Sequence, residues 1–280
     1  MSEILRDLSE SALVRAIEEN YYALTPFYYN WPNMEVYSGD DVCWCMTDIA
    51  FASINAIFRA KLRPDDVDKT IEAVIAKGNE KRVPLNWLLG RDTTPSNLRE
   101  RLLAYGFIDE GDGAGMAIDL HAMNEKAPVP SDFSIVEVTN GDVLQTWCHV
   151  TVVGFGMSEH DESALLEWLK GVFDLNLPVK LYLAYLGNKP VATSMYFLAE
   201  GVAGIYFVNT IPEARKQGIG FAVTLKPLQV ARDLGYRVGI LHASNMGEPV
   251  YRRMGFKRYS TVGSYLWLDD YHKKLAAENK

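Results

Sequence analysis

The run Arg215-Lys216-Gln217-Gly218-Ile219-Gly220 has the residue types and spacing of an anion-binding turn. It stands between Val202–Thr210, which reads as a strand, and Phe221–Leu234, which reads as a helix. The first N–H groups of a helix have no partner inside it, and the helix dipole favours negative charge there. Gly218 and Gly220 remove side chains that would block close approach, and they permit positive φ. Arg215 and Lys216 place cationic charge beside a bound phosphate. Two phosphate motifs are excluded. A P-loop needs Gly-Lys-Ser or Gly-Lys-Thr after its spacer, and none occurs. The dinucleotide fingerprint needs Gly or Ala where Val223 stands and an acidic residue near position 240, where the chain reads Val238-Gly239-Ile240-Leu241.

A second group with chemical potential is His242, near the end of the next predicted strand. Its ordinary pKa suits a base, and a packed structural histidine is the alternative. Cys43-x-Cys45 puts two thiols on one face of a strand, but no second Cys or His pair completes a tetrahedral site. Buried thiols and no metal are expected.

The elements that position these residues can be read coarsely. His121 to Asp132 carries two prolines and little apolar periodicity, so it reads as a linker between residues 1–125 and 132–280. In the second part, Phe133–Val138 reads as a strand and Gly141–Val153 and Glu162–Phe173 as helices. Val179–Leu186 and Pro190–Ala199 form a hairpin across Gly187-Asn188. Then come Val202–Thr210, the glycine turn and Phe221–Leu234, closed by Gly235. Arg237–Ala243, a short helix Pro249–Met254, and two strands, Phe256–Tyr259 and Ser264–Leu268, follow. The first part repeats this pattern. Helix Asp66–Lys77 and strand Val83–Leu89 mirror Phe221–Leu234 and Arg237–Ala243. Ser96-Asn97, Gly106-Phe107 and Gly115–Asp119 mirror Ser244-Asn245, Gly255-Phe256 and Gly263–Trp267. Ordered agreement of this kind points to duplication.

Bulk properties set bounds. A chain of 280 residues is long for one core and comfortable for two. A net charge of −8 argues against nucleic-acid and anionic-membrane partners and mildly favours a cationic substrate such as an amine. Three cysteines form no disulfide framework and fit a reducing cytoplasm. No apolar run approaches membrane-spanning length, and Met-Ser-Glu-Ile does not open a signal peptide. A cytoplasmic protein is expected.

Arg-x-x-Gly-x-Gly after a fourth strand, with Pro212 three residues before Arg215, resembles the acetyl-CoA pyrophosphate loop of the GNAT superfamily of N-acetyltransferases. Tyr251-Arg-Arg-Met-Gly255-Phe256 resembles that superfamily's Tyr-x-x-x-Gly-Phe segment. The order of strands and helices over about residues 133 to 269 is also that of its fold. The resemblance implies an α/β (α+β) protein of two GNAT-like domains, each a mixed, mostly antiparallel sheet flanked by helices.

It also implies acetyl-CoA as cosubstrate, no metal, and transfer of the acetyl group to a primary amine of a small molecule. The backbone of Val208, Asn209 and Thr210 would pair with the pantetheine arm. The N–H groups of Gln217, Gly218, Ile219 and Gly220 would hold the pyrophosphate, with Arg215 as charged support and Lys216 beside it. Tyr251 would protonate the leaving thiolate. The proton acceptor is open between His242, the lid residues Glu159 and His160, and a water chain. The family's CoA-contacting asparagine would fall at Ser244, with Asn245 beside it. The matching stretch of the first part, Ala60 to Val67, has no glycine and two carboxylates, Asp65 and Asp66. That part is expected to keep the shape and lack the cofactor, as in tandem GNAT proteins with a degenerate half. The aromatic stretch Tyr21–Tyr37, with Tyr28, Tyr29 and Trp31, would line an acceptor pocket or pack as core. A monomer or homodimer without nucleic-acid or membrane partners is expected. Two other activities stay open: a CoA-binding sensor without turnover, and acetylation of a protein or peptide.

Overall fold

The computed structural model describes residues 3–24, 33–139, 141–157, 161–174 and 177–278. Glu159, His160, Tyr28, Tyr29 and Trp31 lie outside them. In chain order the first elements are α1 (Glu10–Tyr22), β1 (Glu35–Ser38), β2 (Cys43–Met46), β3 (Ala56–Phe58), α2 (Val67–Lys81), β4 (Leu85–Leu89), α3 (Leu98–Ala104) and β5 (Ile108–Asp119). Next are β6 (Phe133–Glu137), α4 (Gly141–Phe155), α5 (Asp161–Asp174), β7 (Val179–Leu186), β8 (Lys189–Ala199) and β9 (Val202–Thr210). The last are α6 (Ile219–Asp233), β10 (Val238–Ala243), α7 (Glu248–Met254), β11 (Lys257–Trp267) and α8 (Asp270–Glu278).

Compactness divides the chain into Met1–Tyr28 with Ala114–Tyr259, and Tyr29–Gly113 with Ser260–Lys280. This grouping differs from the linear halves 1–125 and 132–280 at both ends of the chain. The apolar stripe of α1, Leu13, Ala16 and Ile17, is buried with Ala117, Val202, Val238 and Ile240 of the first unit. The end of β5 pairs antiparallel with β10 in that unit, Ala114↔Ala243 to Asp119↔Val238. The end of β11 pairs with β4 in the second unit, Gly263↔Leu89 to Trp267↔Leu85.

The sheet of the first unit runs β6-β7-β8-β9-β10-β5, with β9 and β10 its parallel pair. That of the second runs β1-β2-β3-β4-β11, with β3 and β4 parallel. Each parallel pair is joined by a long helix, α6 or α2, as a parallel crossover requires. Strand alternation gives the first sheet two faces. On one, Phe221, Leu225 and Leu228 of α6 meet Met116, Ile118, Ile205 and Leu241. The other carries α1, and α4 joins it there: Thr151 of α4 touches Thr193, whereas the next residue, Ser194, bonds into α6. The second core centres on Ile57, Ile71, Leu85, Trp87 and Leu102.

One expectation is corrected. The two strands read after Gly255 are one strand, β11. Gly263 sits within the ladder, and a Cβ on it would lie 3.0 Å from the Tyr265 ring. The segment 121–132 lacks regular structure but is anchored. Asn124 bonds to the carbonyls of Met254 and Arg253, and Glu125 to Gln229 and Arg232 of α6. Cys43, Cys45 and Cys148 are buried free thiols. Among the described residues no helix is long and apolar enough to cross a membrane, and no acidic, His and Cys cluster could hold a metal ion.

Candidate functional site

β9 is fully paired on one side only. Its ladder with β8 extends to Ala192↔Thr210, but its ladder with β10 ends at Leu241↔Ile205. Among the described residues no strand pairs with β9 beyond that point, so Tyr206 to Thr210 present an open edge towards the end of β10, where His242 and Ala243 are held by β5. The strands part at a β-bulge. The β8 register shifts between Thr193 and Met195, so Phe207 and Val208 oppose Ser194 alone. Phe207 has φ 50°, and its ring is packed among Trp147, Phe155 and Trp168 at centroid distances of 5.6, 6.3 and 6.1 Å.

Beyond Thr210 a 3-10 turn, Pro212–Ala214, leads through Arg215 to Lys216 (φ 63°), Gly218 (φ 80°) and α6. The first bond spent within the helix runs from Ala222 N to Gly218 O, at 3.1 Å. The N–H groups before it are those any helix leaves for a ligand. The two glycines serve different ends. A Cβ on Gly218 would lie 2.1 Å from the Pro128 carbonyl oxygen, so this residue is fixed by conformation and packing. Among the described residues a Cβ on Gly220 would meet only Thr210 Oγ1, at 3.7 Å, so its bareness leaves space in front of the loop. Arg215 braces the turn: Nε donates to Thr210 O at 3.0 Å and Nη2 to Gly154 O at 3.2 Å. Lys216 and Gln217 are exposed, and the Ile219 side chain is buried. An extended ligand with an anionic end fits this arrangement. The strand edge offers the backbone groups that neither the β8 ladder nor the Thr193 and Arg215 side chains take up, and the helix end offers N–H groups and positive potential.

The family model described as acetyltransferase (GNAT) family matches residues 144–256, which span this edge and loop. The chain carries a GNAT domain. A GCN5-related N-acetyltransferase from Kribbella flavida superposes with a TM-score of 0.64 at 16% identity, over 89% of this chain and 94% of that one. One from Sphaerobacter thermophilus gives 0.56 at 16%, over 95% of each chain. A tandem GNAT protein from the clavulanic acid biosynthesis pathway gives 0.55 at 12%, over 94% of this chain and 95% of that one. At such identities the likeness is one of fold. No match is found among curated protein sequences.

Within the GNAT domain the other expected residues fall in distinct surroundings. His242 follows the last residue of β10 paired with β9, next to the parting. Its Nδ1 is buried with no hydrogen-bond partner among the described residues, and burial pushes its pKa down to about 4. The Tyr21 ring of α1 stands edge-on to it at 5.1 Å. Tyr251 is buried against Phe256 in the α6 face core, its hydroxyl in contact with that of Thr224; burial pushes its pKa up to about 12. Thr224 in turn donates to Gly220 O at 2.8 Å, which links Tyr251 to the first turn of α6. Ser244 lies in the turn before α7, its carbonyl accepting from Glu248 N at 2.9 Å and its Oγ from Gly247 N at 3.2 Å. Asn245 is exposed. Val208 packs against the α6 face core, and Thr210 is half-buried. The Asn209 side chain is turned inwards, with Nδ2 donating to Thr193 Oγ1 at 2.5 Å.

The sequence reading missed Asn20, which is fully buried. Its Nδ2 donates to Ala199 O at 2.9 Å, and its Oδ1 accepts from the Tyr206 hydroxyl at 2.8 Å. A Cβ on Gly204 would be 2.1 Å from that oxygen, so the glycine makes room for it. A buried asparagine on the apolar face of an amphipathic helix was the available signal.

The second unit also has a parallel strand pair joined by a long helix, and it differs in two places. Its 3-10 turn Pro64–Asp66 also begins with proline, but α2 starts at the next residue, Val67. In the GNAT domain Arg215 to Gly218 intervene between the turn and α6. Beyond the short parallel ladder of β3 and β4, Leu62 N donates to Thr94 O and Thr94 N to Ala60 O, each at 3.0 Å. The edge corresponding to Tyr206–Thr210 is thus occupied by the unit's own chain.

Proposed function

We propose that the GNAT domain is an acetyl-CoA-dependent N-acetyltransferase that moves an acetyl group to a primary amine of a small molecule by direct attack. The observation that carries this reading is the open β9 edge leading directly into the N-terminus of α6. On this reading the edge Val208–Thr210 pairs with the pantetheine arm. The N–H groups of Gln217 to Gly220 receive the pyrophosphate, and Arg215 holds the turn in shape. The neutral amine nitrogen attacks the thioester carbonyl carbon, forming C–N while the carbonyl π pair moves to oxygen. The C–S bond then breaks, sulfur leaves with the bonding pair, and nitrogen loses its extra proton. Tyr251 holds its proton throughout the neutral range and supplies it to sulfur. His242, held neutral by burial and with an Nδ1 that has no partner among the described residues, is the acceptor candidate beside the parting of the strands.

The α1 face supports an amine acceptor. Tyr206, Tyr21 and His242 gather beside the end of α1, whose last turn has no basic residue and whose carbonyl end favours a cation on approach. The test is a panel of primary amines with acetyl-CoA, read by thiol release and by the mass of the acetylated product. Thiol release dependent on one class of amine is expected. Tight acetyl-CoA binding without release across amines and peptide N-termini would contradict turnover and leave a sensor.

A further inference from the structure

The β9 bulge is held by a buried polar network that no cofactor contact requires. Thr193 Oγ1 accepts from Asn209 Nδ2 at 2.5 Å and lies 3.3 Å from the donating Thr151 Oγ1. It gives its single proton to the Phe207 carbonyl oxygen, at 3.0 Å. Both lone pairs and the proton of this hydroxyl are therefore used. Asn209 reaches the network because Gly154 has no side chain; a Cβ there would lie 2.0 Å from Asn209 Oδ1. That Oδ1 has no partner among the described residues, so the asparagine is buried at a cost for the sake of its Nδ2 contact. The aromatic cage around Phe207 holds the same residue from its side-chain end.

The consequence follows from peptide geometry. In a planar trans peptide the C=O and the following N–H point in opposite directions. The Phe207 carbonyl is drawn towards Thr193 on β8, so the Val208 N–H is turned away from β8, towards the open edge where the ladder with β10 has ended. We propose that Thr193 is a positioning residue. Its hydroxyl, braced by Asn209 and Thr151, aims the Val208 N–H at the acetyl carbonyl oxygen, which gains the π pair when the amine attacks. This rests on the acetyltransferase reading. A preset donor at a developing oxyanion acts most strongly in a site already shielded from water.

The test uses the full chain. In the wild type, the Val208 amide resonance is followed by NMR with CoA and with acetyl-CoA. A downfield displacement specific to acetyl-CoA is expected. Thr193→Val should lose that displacement and lower kcat about 100-fold, the scale of one oxyanion donor, while the Kd for CoA stays within about two-fold. Thr193→Ser, which keeps the hydroxyl, should restore both. A Val208 amide that responds identically to CoA and acetyl-CoA would overturn the proposal while leaving the cofactor site intact. So would a Thr193→Val variant whose kcat is unchanged, or whose CoA affinity falls as far as its kcat. A wild type that binds neither ligand would remove the acetyltransferase reading and this proposal together.

Discussion

The Ser194 hydroxyl donates to the Val223 carbonyl at 2.6 Å, the carbonyl that Pro227 leaves without a partner four residues further along α6. Proline has no N–H to return to the preceding turn, and a buried unpaired carbonyl is costly. Ser194 repairs the defect from β8, opposite the bulge, and so fixes the helix that begins at the glycine turn. Ser194→Ala should cost about 1–3 kcal/mol, the penalty of one buried unsatisfied acceptor. In a Pro227→Ala background, where the alanine N–H can donate to the Val223 carbonyl, the same substitution should cost less than about 1 kcal/mol. Urea unfolding of the four variants measures both. Equal costs in the two backgrounds would contradict the repair.

Gly218 and Gly220 should respond in opposite senses. Gly218→Ala puts an L side chain in a left-handed conformation and against Pro128, so it should lower stability without ligand by at least about 1–2 kcal/mol. Gly220→Ala lies in the first turn of α6 with open space before it. It should leave ligand-free stability unchanged or raise it by up to about 1 kcal/mol, while shrinking the stabilisation by acetyl-CoA. Thermal melts with and without acetyl-CoA separate the two effects.

Tyr251→Phe keeps the ring that packs on Phe256 and removes only the hydroxyl next to Thr224. If that hydroxyl protonates the leaving sulfur, kcat should fall about 100-fold with little change in melting temperature or in KM for acetyl-CoA. A matched fall in stability would instead indicate a packing role.

His242 makes a prediction about acid. Its folded pKa of about 4 lies below the ordinary 6.5, so the unfolded chain binds the extra proton first as pH falls. The stability it contributes is full above pH 6.5 and declines between there and about 4. The loss should be at most about 3 kcal/mol, at 1.36 kcal/mol per unit. Replacing His242 by Gln should flatten stability over this window, measured by urea melts at several pH values. Any rate decrease centred near pH 6.5 must come from another group.

Much of this was legible from residue order. β7 and β9 fall on the residues read as strands, and the glycine turn sits where strand meets helix. Other features left no local mark. The stripe Leu13, Ala16, Ile17 shows that α1 packs, but not that it packs on Val202 and Ile240, more than a hundred residues away. Phenylalanine is no signal for a left-handed residue, so the bulge at Phe207 was invisible. Its support had a faint trace: Thr193-Ser194, two polar residues inside an apolar strand, each spent on a carbonyl the backbone could not satisfy.

The second unit carries its own expectation. With α2 beginning directly after Pro64–Asp66 and Thr94 bonded across the edge, it should take no acetyl-CoA. Restoring one glycine there would not restore a site, because the loop is missing and the edge is filled.

The most direct measurement is calorimetric titration of the full chain with acetyl-CoA, alongside Gly220→Glu. One molecule bound per chain is predicted, with binding abolished in the variant at unchanged ligand-free melting temperature. No binding by the wild type, two equivalents per chain, or wild-type affinity in Gly220→Glu would contradict a single acetyl-CoA site at the start of α6.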